Sequence, residues 1–145
     1  MRIVAFEPAH TAACVAVMAS NAPEFFAEEE VADFERFLAE LPGTYLVVLD
    51  DDEVVACGGF DVDAEGVAVL TWGMVRRDLH RGGLGSLLLR ERLDRIAADP
   101  RAHRVRMDTS QHSRPFFERF GFVVTKHTPG GYAPGLDRYD MALEL

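Results

Sequence analysis

Strand-like and helix-like segments alternate along this chain, which makes it an α/β protein, and three observations carry that reading. Val31, Phe34, Phe37, Leu38 and Leu41 recur at the spacing of one helix face. Thr44–Leu49 and Glu53–Asp61 are β-rich runs joined by Asp50-Asp51-Asp52, the mark of a hairpin. Val67–Val75 is a third strand-like run. It feeds the glycine-rich turn His80-Arg81-Gly82-Gly83-Leu84-Gly85-Ser86 and then a leucine-rich helix.

Taken in order, Arg2–Glu7 reads as a strand. Pro8 opens a helical run through Cys14, Val15 and Met18 that ends near Asn21-Ala22-Pro23. Glu28–Glu30 lead the second helix, where acids in the first turn complement the dipole, and Pro42-Gly43 stops it. The hairpin follows, and Gly66 starts the Val67–Val75 strand. Leu84, Leu87, Leu88, Leu89, Leu93 and Ile96 give the next helix a broad apolar stripe that Asp99-Pro100 ends. His103–Thr109 alternates, with Val105 and Met107 on one face. A short helix turns Phe116, Phe117 and Phe120 inward and stops at Gly121. Phe122–Lys126 is expected as a strand, Pro129–Gly135 as a flexible loop, and Arg138–Leu145 as the closing strand.

At 145 residues and 48% hydrophobic composition, the chain makes one domain over 1–145 with a substantial core. It has no run of 18 apolar residues and no signal-peptide pattern at Met1-Arg2-Ile3-Val4, so a cytoplasmic protein away from membranes is expected. Cys14 and Cys57 lack zinc spacing and are expected reduced and buried. The five histidines show no ligand pattern, so no metal is expected. Residues 1–65 carry fifteen acids against Arg2 and Arg36, whereas residues 66–145 carry nine acids against thirteen Arg/Lys. The net charge of −9 disfavours nucleic acid. The basic half suits a phosphate-rich ligand, and the acidic half a cationic one.

The glycine turn is where a phosphate would bind. Its glycines allow close backbone approach, and the helix behind it offers free N–H groups. It is not a Walker loop, because no Lys precedes Ser86. Nor is it a dinucleotide fingerprint, because Leu88 stands where the third glycine belongs. His80-Arg81-Gly82-Gly83-Leu84-Gly85 does match the acyl-CoA loop Q/R-x-x-G-x-G/A, with His80 at the Gln/Arg position. Leu70–Val75 is similar to the strand before that loop, and Pro115–Phe122 to an "FYEKxGF" helix-to-strand corner. Over roughly 54–145 the chain therefore resembles the GCN5-related N-acetyltransferases (GNAT).

That resemblance implies a mixed, mostly antiparallel sheet of about seven strands with about four helices on its faces. It implies direct transfer of an acetyl group from acetyl-CoA to a primary amine of a small molecule or peptide, with a second copy of the chain as an optional partner. The alternative is an acyl-CoA-binding regulatory module without turnover. The backbone of Arg81, Gly82, Gly83, Leu84, Gly85 and Ser86 would hold the pyrophosphate, with His80 supporting the loop. A backbone N–H near Met74 or Val75 would polarise the thioester carbonyl.

The chain departs from the family pattern where Phe117 replaces the usual tyrosine acid. A thiol with pKa near 8.5 leaves as thiolate at pH 7 at a cost of roughly 2 kcal/mol, so the loss is tolerable. Tyr132 and, as an alternative, Ser113 are the substitute donors. An amine with pKa near 10.4 must lose its proton, a deficit of about 4.6 kcal/mol at pH 7. Glu24, Glu28–Glu30, Asp61, Asp63 and His127 are the candidate bases, and Trp72 with Phe25-Phe26 could line an acceptor pocket.

Overall fold

The computed structural model describes residues 1–22 and 24–145; Pro23, where the first helix was expected to end, lies outside the described residues. Seven strands form one sheet in the order β1-β2-β3-β4-β5-β7-β6. They are β1 (Arg2–Ala5), β2 (Thr44–Asp50), β3 (Glu53–Val62), β4 (Val67–Val75), β5 (Arg104–Thr109), β6 (Val123–Ala133) and β7 (Leu136–Glu144). Four α-helices accompany them: α1 (Thr11–Asn21), α2 (Glu30–Glu40), α3 (Leu84–Ala97) and α4 (Arg114–Arg119). Every neighbouring pair is antiparallel except β4 with β5. The predicted mixed, mostly antiparallel sheet is therefore the observed one.

The middle strands are buried on both faces because helices cover both. Phe34 and Leu38 of α2 and Cys14, Val17 and Met18 of α1 pack with Tyr45, Val47 and Cys57 of the sheet. On the opposite face Leu89 and Ile96 of α3 meet Phe60, Leu70, Val105, Met107 and Met141. This explains the near-continuous apolar runs of β2 and β3, which alternation alone would not produce. α2 ends with Leu41 in the left-handed region (φ 45), ahead of Pro42 and Gly43 (φ 71). Both cysteines are buried and unlinked. No helix among the described residues is long and apolar enough to cross a membrane.

The sequence reading needs one substantial correction. β6 does not stop at Lys126 but runs to Ala133, so Tyr132 lies in a strand and the expected 129–135 loop shrinks to a turn at Pro134-Gly135. The ladder to β7 skips a register between Thr128 and Ala133, and that irregularity takes in Pro129, which has no N–H to give. Hairpin pairing with β7, the next strand along the chain, overrides the local turn signal at Pro129–Gly131.

Candidate active site

Two structural breaks lie next to each other. β4 and β5 pair only through Val67↔Arg104, Ala68↔Val105 and Val69↔Arg106. Beyond Val69, β4 continues along β3 while β5 continues along β7, so the sheet opens between them. In the opened half of β4, Trp72 and Gly73 together face Gly58, a two-against-one bulge that puts Trp72 at φ 41. The Trp72 carbonyl accepts the Tyr45 hydroxyl at 2.8 Å, and its ring packs on Phe26, Phe34 and Phe37.

The glycine turn follows directly. Arg81 (φ 68) and Gly83 (φ 86) are both left-handed; for Arg81 this costs roughly 1 kcal/mol, and for Gly83 almost nothing. Gly82 donates to the Leu79 carbonyl at 3.3 Å, and Leu87 to the Gly83 carbonyl at 3.0 Å, which starts the α3 ladder. The N–H groups of Arg81, Gly83, Leu84, Gly85 and Ser86 meet no acceptor among the described residues, and no side chain caps α3. Five free donors at the positive end of a 14-residue helix make a strong anion cradle. A Cβ on Gly83 would meet open space, so the cradle is accessible. One on Gly85 would touch the Phe116 ring at 3.5 Å. His80 points its Nε2 at the Val75 carbonyl (2.9 Å), which also accepts from Asn21, and so ties the turn to the end of β4.

The segment between α1 and α2 leans over this region. The Phe25 ring sits edge-on to both His80 (5.0 Å) and His112 (5.2 Å), with Arg77 over its face and ion-paired to Glu24. Beneath it is a cavity of about 750 Å³ lined by Glu24, Ala27, Glu28, Glu29, His112 and the β6–β7 turn at Ala133–Leu136. Glu30 opens α2 and accepts the Ala27 N–H at 3.0 Å. Burial pushes its carboxyl above the ordinary range, partly offset by that hydrogen bond, and Asp108, Asp33 and Glu29 push the same way. Tyr132 donates its hydroxyl proton to the Asp108 carboxylate. Its phenol is held well above the ordinary value by burial, then by Asp108. Arg138 reaches both Asp108 (3.5 Å) and Asp140 (3.0 Å).

The structure thus brings the glycine turn, the opened β4 with Met74 and Val75, and the Glu24–Glu30 segment to one region, with the Asp108–Tyr132 pair in the electrostatic field of Glu30. Other candidates are engaged elsewhere. Asp63 accepts the N–H groups of Glu65 and Val67, and His127 pairs with Asp137 (2.8 Å) while stacked on Tyr139. Neither these two nor Asp61 lines the cavity. Ser113 precedes α4, where its carbonyl accepts the N–H groups of Phe116 and Phe117, but its side chain caps nothing. Phe117 packs on Phe116 and Phe122. Sequence reasoning missed Asp108, although the alternation of Val105 and Met107 had already set it on the opposite face of β5. It also missed His112, for which no local signal exists.

The model of the acetyltransferase (GNAT) family matches residues 14–122. No curated protein sequence matches the chain. Among solved structures, a protein assigned to the GNAT acetyltransferases from Desulfovibrio desulfuricans superposes with a TM-score of 0.83 at 22% identity, covering 99% of this chain and 98% of that one. The ribosomal-protein-S18-alanine N-acetyltransferase of Escherichia coli gives 0.81 at 18% identity, covering 99% and 92%. An aminoglycoside 6'-N-acetyltransferase complexed with coenzyme A gives 0.80 at 14% identity, covering 99% and 97%. These three likenesses establish the fold.

Proposed function

Since the chain belongs to the acetyltransferase (GNAT) family, we propose that it carries an acetyl group from acetyl-CoA to the primary amine of a cationic small molecule or peptide. The observation that carries this reading is the row of unpaired N–H groups at the start of α3, set beside the opening between β4 and β5. The residues fit a pyrophosphate there: the donors are free, the dipole has the right sign, and nothing occupies the space above Gly83. Bound acetyl-CoA supplies the thioester carbonyl that the amine attacks.

Each group of the chain then has a role. The backbone of Arg81–Ser86 binds phosphate oxygens, and His80 keeps the turn in place through the Val75 carbonyl. Backbone N–H groups near Met74 and Val75 polarise the carbonyl. Glu30, more basic than an ordinary carboxylate, accepts the amine proton, directly or through one water. Tyr132 and Ser113 are the candidate donors to the sulfur, and the Tyr132 proton must be released from Asp108 to serve. Glu24, Glu28 and Glu29 give the cavity a negative wall that favours a cationic acceptor. Phe117, which cannot donate a proton, favours the second reading: an acyl-CoA-binding module without turnover.

The acceptor class is tested by kcat/KM for a diamine and for a primary monoamine of equal length with an uncharged end. The diamine should be preferred. The Glu28→Gln/Glu29→Gln double variant should reduce that preference roughly three- to thirtyfold, from two exposed charge contacts at up to about 1 kcal/mol each. Preference for the uncharged amine would contradict the assignment.

A further inference from the structure

The bulge in β4 decides which way the backbone of Val75 faces. Ahead of it, Asp63 donates to the Val67 carbonyl at 3.0 Å, so a rung of the β3–β4 ladder falls at that position. Rungs recur at every second pair, which puts the next ones at Asp61 with Val69 and at Gly59 with Thr71. Continued without a break, this register would set Val75 opposite Val55 and spend its N–H on β3. The extra residue at Trp72-Gly73 moves the pairing by one. Val75 therefore opposes Ala56, and it is Arg76 that donates to the Val55 carbonyl, at 2.9 Å. Val75 falls between rungs, with its N–H and carbonyl turned away from β3. The carbonyl is taken by Asn21 and His80, each at 2.9 Å. No strand meets the N–H, because β5 has parted from β4 at Val69.

Such a bulge has to be held, since Trp72 sits at φ 41, a conformation that a bulky residue keeps only when its surroundings enforce it. Two buried side chains grip the backbone there from opposite faces of the sheet. From the α3 face Arg92, 4% exposed, donates through Nε and Nη2 to the Gly59 carbonyl at 3.1 and 2.9 Å. Its Nη2 also reaches the Thr71 carbonyl at 3.3 Å. Gly59 and Thr71 form the last rung before the bulge. Gly58 and Gly73 make room for the guanidinium: a Cβ on either would come within 3.2 or 2.6 Å of Nη1. From the α1–α2 face Tyr45 donates its hydroxyl to the carbonyl of Trp72 itself at 2.8 Å. A buried cation held by carbonyls alone is costly to a fold, and here the carbonyls it holds are those of that rung. Both donors persist at neutral pH. Burial lowers the guanidinium only to about 10, offset by Tyr45 and Cys57, and burial, then Cys57, keeps the Tyr45 phenol well above its ordinary value.

We propose that Arg92 and Tyr45 are positioning residues, which hold the β4 bulge and so keep the Val75 N–H turned outward to polarise the thioester carbonyl. This rests on the acetyl-CoA reading above, with the thioester at the opened edge of β4. Both side chains act through the backbone, and neither gives nor takes a proton. Once released, the bulge relaxes toward uninterrupted pairing and the N–H turns back to β3.

The test is the carbonyl stretch of acetyl-CoA bound without an amine, read by infrared difference with a carbon-13 label on that carbonyl. It is paired with kcat, calorimetric Kd for acetyl-CoA, and thermal melting to establish folding. Bound to the parent protein, the stretch should lie below that of free acetyl-CoA, because a hydrogen bond at oxygen weakens the C=O bond. In Tyr45→Phe and in Arg92→Met it should return toward the free value. There kcat should fall about ten- to a hundredfold, the cost of a misaimed contact, with Kd changed less than threefold. Arg92→Lys, which can reach one carbonyl but not both, should fall between. Purely structural residues would lower Tm and leave stretch and kcat as in the parent; that result in the folded variants overturns this inference alone. Should Arg92→Met not fold, Tyr45→Phe, which removes a single oxygen, decides by the same criterion. An unshifted stretch in the parent also overturns it. Failure of acetyl-CoA to bind the parent would overturn the acetyl-CoA reading itself, and this one with it.

Discussion

Glu30 begins α2 half withdrawn from water, with one oxygen on the Ala27 N–H and Asp108, Asp33 and Glu29 close enough to resist its ionisation. Its carboxyl in the folded protein titrates above the ordinary 4.5, so the fold prefers the protonated form. That preference stabilises fully below the unfolded value and is lost as pH rises through the folded one. At neutral pH the ionised side chain is therefore a liability to stability. Glu30→Gln, which keeps an oxygen for Ala27, should melt at a higher temperature than the parent at pH 7, and the gain should shrink toward zero near pH 4. The same variant should lose about 10²-fold or more in kcat, as expected for a proton acceptor. Melting curves at several pH values, paired with kcat, check both halves; a kcat equal to the parent's across pH 6–9 would remove Glu30 from proton transfer. The sequence offered Glu30 only as one acid in a run of three. Its distinction comes first from burial and then from Asp108 on β5, 78 positions away, neither of which a local pattern supplies.

The turn between β4 and α3 was legible almost residue by residue, because glycine spacing states a backbone requirement directly. Its two glycines serve different ends. Gly83 holds φ 86 with open space where a side chain would point, so Gly83→Asn, tolerant of the left-handed region, should fold well, whereas Gly83→Val should strain the turn. Gly85 faces Phe116 at ordinary contact distance, so Gly85→Ala should bind CoA within a few-fold of the parent, and Gly85→Val should not. Calorimetric titration of CoA into the four variants should rank both Val variants at least tenfold weaker than their small-side-chain partners; equal affinities would move the pyrophosphate elsewhere. β6 was less legible. Pro129, Gly130 and Gly131 read locally as a loop, yet pairing with β7 carries the strand to Ala133 and brings Tyr132 onto Asp108. Arg92 was hidden differently: it shares a face of α3 with Leu88, Leu89 and Ile96, where a single cation in an apolar stripe marks an unusual burial.

Across the whole molecule, the acidic first half and the basic second half meet where Glu24 and Phe25 lie against Arg77 and His80, just after β4. The first half contributes Glu24, Glu28 and Glu29, which line the cavity beside His112, while the later half contributes the free N–H groups of the glycine turn and Arg77, which is ion-paired to Glu24. The charge asymmetry was plain in the sequence; that Glu24 meets Arg77, 53 positions on, follows from the tertiary fold, which composition does not contain. A ligand bound only by the folded state at a hundred times its Kd adds about 2.7 kcal/mol of stability, which for a chain of this size should raise Tm by roughly 5–10 °C with CoA. A scan with and without CoA checks it, and an unchanged Tm at saturating CoA would argue against a cofactor site on the folded chain. The reaction itself is tested most directly by following free-thiol release from acetyl-CoA while a panel of primary amines is added to the purified protein. Amine-dependent release, fastest with polycationic acceptors and absent without an amine, is the predicted result; CoA binding with no thiol released for any acceptor would contradict the enzyme and leave a binding module.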